Sequence, residues 1–130
     1  MKKFENKKLI LFDLDGTLVD TAPDISASLN FALEQDGLDC VSEALTRHWV
    51  GHGSKVLISK ALAHLKATRD PEPLLKNFID YYQNNIAVNS APYPGVTDTL
   101  KTLIIIITDV INSHHHYPYF ACHLQVPKIR

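Results

Sequence analysis

Asp13 and Asp15, followed by Gly16 and Thr17, are the residues in this chain best equipped for chemistry. An apolar run, Leu9-Ile10-Leu11-Phe12, leads directly into them. Residues two apart point the same way while the backbone is extended, so both carboxylates would leave the end of a strand together. Gly16 permits a sharp turn, and the Thr17 hydroxyl can hold a carboxylate or phosphate oxygen. Phosphoryl transfer needs this equipment. One carboxylate can attack phosphorus and form an aspartyl-phosphate. An anion attacking a phosphate dianion is repelled, so a divalent cation must screen both, and Mg2+ favours such oxygen ligands. The second carboxyl group can protonate the leaving oxygen and then activate water. The plainer alternative is a polar turn after a strand, and the full Asp-x-Asp-Gly-Thr spacing behind an apolar run weighs against it.

The elements that would position these groups follow from periodicity. An apolar run without alternation suits a strand buried on both faces, as in a parallel sheet under helices. From Thr21 the pattern becomes helical: Ile25, Leu29, Ala32 and Leu33 share one face, Thr21 and Asp24 have capping-box spacing, and Gly37 serves as a stop. Further helices are expected from Ser42 to Trp49, from Ser54 to Leu65, and from Asp70-Pro71 through Leu74, Phe78 and Tyr82 toward Ile86. Pro92 and Pro94-Gly95 punctuate the end of this run. Val96, Leu100 and Leu103 restart helical spacing, and the Ile104–Ile107 run with the segment after it carries no clear period.

The chain has 130 residues, 45% hydrophobic and 21% charged, with a formal net charge of −1. That balance suits one globular domain with a small insertion and argues for neither a nucleic acid nor a membrane surface, so neither is expected as a partner. The two cysteines, Cys40 and Cys122, lack metal-ligand spacing and read as free thiols of a reducing compartment. The basic start MKKFENKK is followed by too short an apolar run for a signal peptide, so a cytoplasmic location is expected.

The stretch from Phe12 to Thr21 resembles the haloacid dehalogenase superfamily of phosphatases. The helical segment after it resembles the small α-helical cap that this superfamily inserts behind its first motif. Arg47-His48-Trp49-Val50-Gly51-His52-Gly53, with Val56-Leu57 and Ala61-Leu62, is similar to the cap of bacterial phosphoglycolate phosphatases, and Pro92 to Val96 resembles the return to the core. The resemblance implies an α/β fold: a partial Rossmann-type core, residues 1–20 and 93–130, carrying an inserted α-helical cap, residues 21–92. It implies Mg2+-dependent hydrolysis of a small phosphorylated metabolite, with 2-phosphoglycolate the expected substrate. Asp13 would be nucleophile and metal ligand. Asp15 would be general acid and base, with its backbone carbonyl on the metal, and Thr17 would position Asp15. Gly51, His52 and Gly53 would sit in a cap loop facing the substrate.

The superfamily also requires a Ser or Thr ending the next core strand, a lysine and an acidic pair. Thr108, after Ile104–Ile107, is the candidate for the first and for a substrate-binding role. Lys128 is the only later lysine and Asp109 the last acid. The family pattern is expected to break after about residue 103, as after truncation or a frameshift. Two alternatives stay open: a catalytically incomplete fragment, and a phosphatase or phosphomutase with another small substrate. Elsewhere, Trp49, Tyr81 and Tyr82 read as packing residues, Asp20 as a hinge or capping group, Lys55 as a solvated lysine, and His114–His116 as a solvated tail rather than a metal site.

Overall fold

The computed structural model describes residues 12–113. The expected strand residues Leu9–Leu11, and with them His114–His116, Cys122 and Lys128, lie outside the described residues. The chain divides into two compact units, residues 1–93 and 94–130.

The first unit is built on four helices: α1 (Ala22–Gln35), α2 (Glu43–Trp49), α3 (Ser54–His64) and α4 (Pro71–Asn84). Their starts follow local chemistry. The Ser42 hydroxyl accepts the Leu45 N–H at the head of α2, and the Asp70 carboxylate accepts the Glu72 N–H at the head of α4, where Pro71 loses no helical bond. The Thr21–Asp24 capping box does not form. Thr21 stands at the N-cap in helical rather than extended backbone geometry and makes no side-chain cap bond, and the Asp24 carboxylate is engaged by Asn89 and Ser90. The Thr21 hydroxyl is left buried with no hydrogen-bond partner.

Helix α1 packs against α2 and α4, and α3 packs against α2 and α4. Leu29, Ala32 and Leu33 of α1 meet Trp49, Leu57, Ile58, Ala61, Leu74 and Phe78 in one apolar cluster. Phe31 stacks on Tyr81 at a centroid distance of 4.4 Å, tying α1 to α4. Between α1 and α2 the connection is fastened by Asn30, whose amide exchanges two 2.9 Å hydrogen bonds with the backbone of Val41. Leu29 is 0% exposed at the centre of the cluster. Leu29→Ala is therefore expected to lower unfolding stability by about 3 kcal/mol, read from urea unfolding, through lost burial and an unfilled cavity.

The segment that carries these helices leaves and returns through one short antiparallel ribbon. Strand β1 (Val19–Asp20) pairs with β2 (Ala91–Pro92), Val19 opposite Pro92 and Asp20 opposite Ala91. The Tyr93 N–H extends the pairing to the Leu18 carbonyl at 3.0 Å.

In the second unit, helix α5 spans Val96–Ser113. It begins after Gly95, whose φ of +84° suits glycine alone, and the Thr99 N–H closes its first turn on the Gly95 carbonyl. The helix runs through Ile104–Ile107, so Thr108 lies inside a helix rather than at the end of a strand. The spacing begun by Val96, Leu100 and Leu103 overrides the β preference of four successive isoleucines. Among the described residues, no helix is long and apolar enough to cross a membrane.

Candidate active site

The two carboxylates sit on a tight loop before β1. The Leu14 carbonyl accepts the N–H groups of Thr17, Leu18 and Val19 at 3.0–3.2 Å, and the Gly16 N–H bonds the Val19 carbonyl at 2.9 Å. Gly16 adopts φ +74°, the left-handed turn that the sequence anticipates. The loop leaves Asp13, Asp15 and Thr17 exposed. The Thr17 hydroxyl donates to Asp13 Oδ2 at 3.2 Å. It thus contacts Asp13, beside the Asp15 that the family resemblance has it position.

Asp13 and Asp15 line one wall of a cleft of about 290 Å³. Val50, Gly51 and Gly53, from the connection between α2 and α3, form a second wall, continued by Ser54 and Leu57 of α3. Ile25 of α1 and Phe78 and Tyr82 of α4 complete it. Gly51 and Gly53 reach the cleft with φ of +108° and +86°, which side-chain-bearing residues rarely adopt. His52 between them is exposed and is not among the residues lining the cleft. Of the residues expected at the site, then, Asp13, Asp15, Gly51 and Gly53 come together, Thr17 contacts Asp13, and Thr108 belongs to α5 of the other unit.

Gly53 is the N-cap of α3 and has no side chain to satisfy the first-turn N–H groups. Such a helix start carries partial positive charge and free donors. Among the described residues, the cleft lining includes no lysine, arginine or histidine. Nearby cations are engaged elsewhere. Arg47 grips Asp20 with two bonds of 2.6 and 3.2 Å and Glu43 with one of 2.7 Å, and Lys55 pairs with Glu72 at 3.0 Å. The Arg47 hydrogen bonds hold the Asp20 carboxyl below its ordinary range. Burial pushes the Tyr82 phenol up, with the charges of Asp15 and Asp24 adding to the effect.

Among the described residues, no group of three or more His, Cys, Asp or Glu side chains is arranged to hold a metal. Two carboxylates facing one cleft still fit Mg2+, which takes one or two protein carboxylates and completes its shell with phosphate oxygens and water.

The periodicity of α4 placed Phe78 and Tyr82 on one helix face but gave no sign that this face also borders a cleft. Trp49 is buried and meets His64 edge-on at 5.6 Å, as a packing residue should.

Residues 10–112 match the family model of haloacid dehalogenase-like hydrolases. A phosphoglycolate phosphatase of Mesorhizobium japonicum is 46% identical over 98 residues, 73% of this chain and 43% of that protein. An N-acetylmuramic acid 6-phosphate phosphatase of Pseudomonas aeruginosa is 38% identical over 96 residues, 74% of this chain and 42% of that protein. A crystal structure of a predicted phosphoglycolate phosphatase from Haemophilus somnus superposes with a TM-score of 0.68 at 35% identity, covering 76% of this chain and 47% of that one. The chain thus spans less than half the length of these relatives.

Proposed function

The chain belongs to the haloacid dehalogenase-like hydrolase family, and from that premise we propose that it carries the nucleophile loop and cap of a phosphatase hydrolysing 2-phosphoglycolate to glycolate and phosphate. Its fold is that of the family: part of the α/β core with an inserted α-helical cap. In this reading residues 21–92 are the cap, and residues 1–20 and 93–130 belong to the core. One observation carries the proposal: Asp13 and Asp15 share a single cleft with the Gly51–Gly53 loop and the start of α3.

A carboxylate oxygen of Asp13, oriented by the Thr17 hydroxyl, attacks phosphorus. The bond from phosphorus to the ester oxygen breaks, and Asp15 gives its proton to the departing glycolate oxygen. Asp15, now a base, takes a proton from water as that water attacks the aspartyl-phosphate. Phosphate leaves and Asp13 is regenerated. Asp13 through its carboxylate and Asp15 through its backbone carbonyl would hold Mg2+, which when bound would offset the repulsion between carboxylate and phosphate. Ile25, Val50, Leu57 and Phe78 form the apolar part of the same cleft.

The test is phosphate release from 2-phosphoglycolate. Release is expected with Mg2+, is expected to fall to background on chelation with EDTA, and should return when Mg2+ is restored. Release that persists in EDTA would overturn the metal assignment.

A further inference from the structure

Among the described residues, the cleft pairs two carboxylates with a mainly apolar wall. A small phosphate ester whose far end is a carboxylate needs donors at that end. Two sources are at hand. One is the uncapped start of α3 at Gly53 and Ser54. The other is Tyr82, half-buried in the cleft wall, whose ring stacks on Phe78 at 6.0 Å with only 5° between the planes. That stacking fixes the ring while the phenol hydroxyl makes no hydrogen bond to any described residue. A held aromatic ring with an unpartnered hydroxyl at a cleft is arranged to bind rather than only to pack.

We propose that Tyr82 is a specificity-determining residue, its hydroxyl donating to the carboxylate at the non-phosphate end of the substrate, with the backbone N–H groups at the start of α3 as its companions. The inference rests on the phosphatase reading and names how that cleft tells a carboxylated phosphate ester from a plain alkyl one.

The experiment is calorimetric titration of the full chain, with Mg2+, against two non-hydrolysable ligands of equal length. 3-Phosphonopropionate carries the carboxylate and propylphosphonate replaces it with a methyl group. The native chain is expected to bind 3-phosphonopropionate more tightly. Tyr82→Phe keeps the stacked ring and is expected to weaken 3-phosphonopropionate roughly tenfold while leaving propylphosphonate within about twofold. Equal weakening of both ligands by Tyr82→Phe, or no weakening of either, would overturn the role of Tyr82. A native chain that binds both ligands without preference would also overturn it while leaving the phosphatase reading intact. Failure of the native chain to bind either phosphonate would instead sink both.

Discussion

Asp13→Asn is expected to reduce phosphate release from 2-phosphoglycolate by about a thousandfold or more, because an amide oxygen is a poor nucleophile toward phosphorus. The substitution is isosteric, and the Thr17 hydroxyl that reaches Asp13 Oδ2 can still donate to the amide oxygen. Folding should therefore be unchanged, and circular dichroism with thermal unfolding would check that. The comparison with Asp15→Asn separates the two carboxylates. An aryl phosphate has a leaving group that needs no proton, so Asp15→Asn should still become phosphorylated, once, by such a substrate. Asp13→Asn should not be phosphorylated at all, because it lacks the attacking oxygen. Mass spectrometry of the intact chain after mixing reads the difference directly. Phosphorylation of the Asp13→Asn chain would show that another residue is the nucleophile.

Asp24→Ala is expected to cost about 3 kcal/mol of stability, as large an effect as any core truncation, although the residue is ionised. Asp24 is 3% exposed. One of its oxygens accepts the Asn89 N–H and side-chain amide at 2.8 and 3.2 Å, and the other accepts the Ser90 N–H and hydroxyl at 2.9 and 2.5 Å. Removing the carboxylate strands those donors and releases the return segment from α1. Burial alone would push the Asp24 carboxyl up, but the bonds from Ser90 and Asn89 outweigh it and hold the carboxyl below its ordinary value of 3.8. The sign follows from linkage. A carboxyl held low when folded contributes stability above its unfolded value and loses it as pH falls through the folded value. The gap in urea stability between native and Asp24→Ala chains should thus be full at neutral pH and shrink only below about pH 4. A gap that is unchanged at pH 2.5 would rule out the ionised clamp.

The helices were legible because their apolar residues recur with a turn's spacing. The expected spans for α1 to α4 agree with the observed ones to within a few residues, and the glycines at Gly51 and Gly53 were read as the break that they form. The carboxylate pair was legible for a different reason, since its members are neighbours in the chain. What stayed hidden depends on distance or on masking by composition. Asp24 reaches residues 65 and 66 positions away, a pairing that no local pattern announces, and its i to i+3 relation to Thr21 pointed to a cap instead. Tyr82 shows only a helix-face spacing, which serves a core residue and a cleft residue equally. Ile104–Ile107 is apolar at every position, so it has no period to read, and α5 passes through it unannounced. The same masking made Thr108 resemble a residue at a strand end.

The β1–β2 ribbon has a consequence for ancestry and engineering. Antiparallel partners lie about 5 Å apart, so the chain departs at Asp20 and comes home at Ala91 through almost the same point. Everything between hangs from two neighbouring residues, and the buried Asp24 carboxylate ties the two ends of that segment to each other from within. A different helical insert with the same closely spaced ends would meet the same stem without lengthening the path between Asp20 and Ala91.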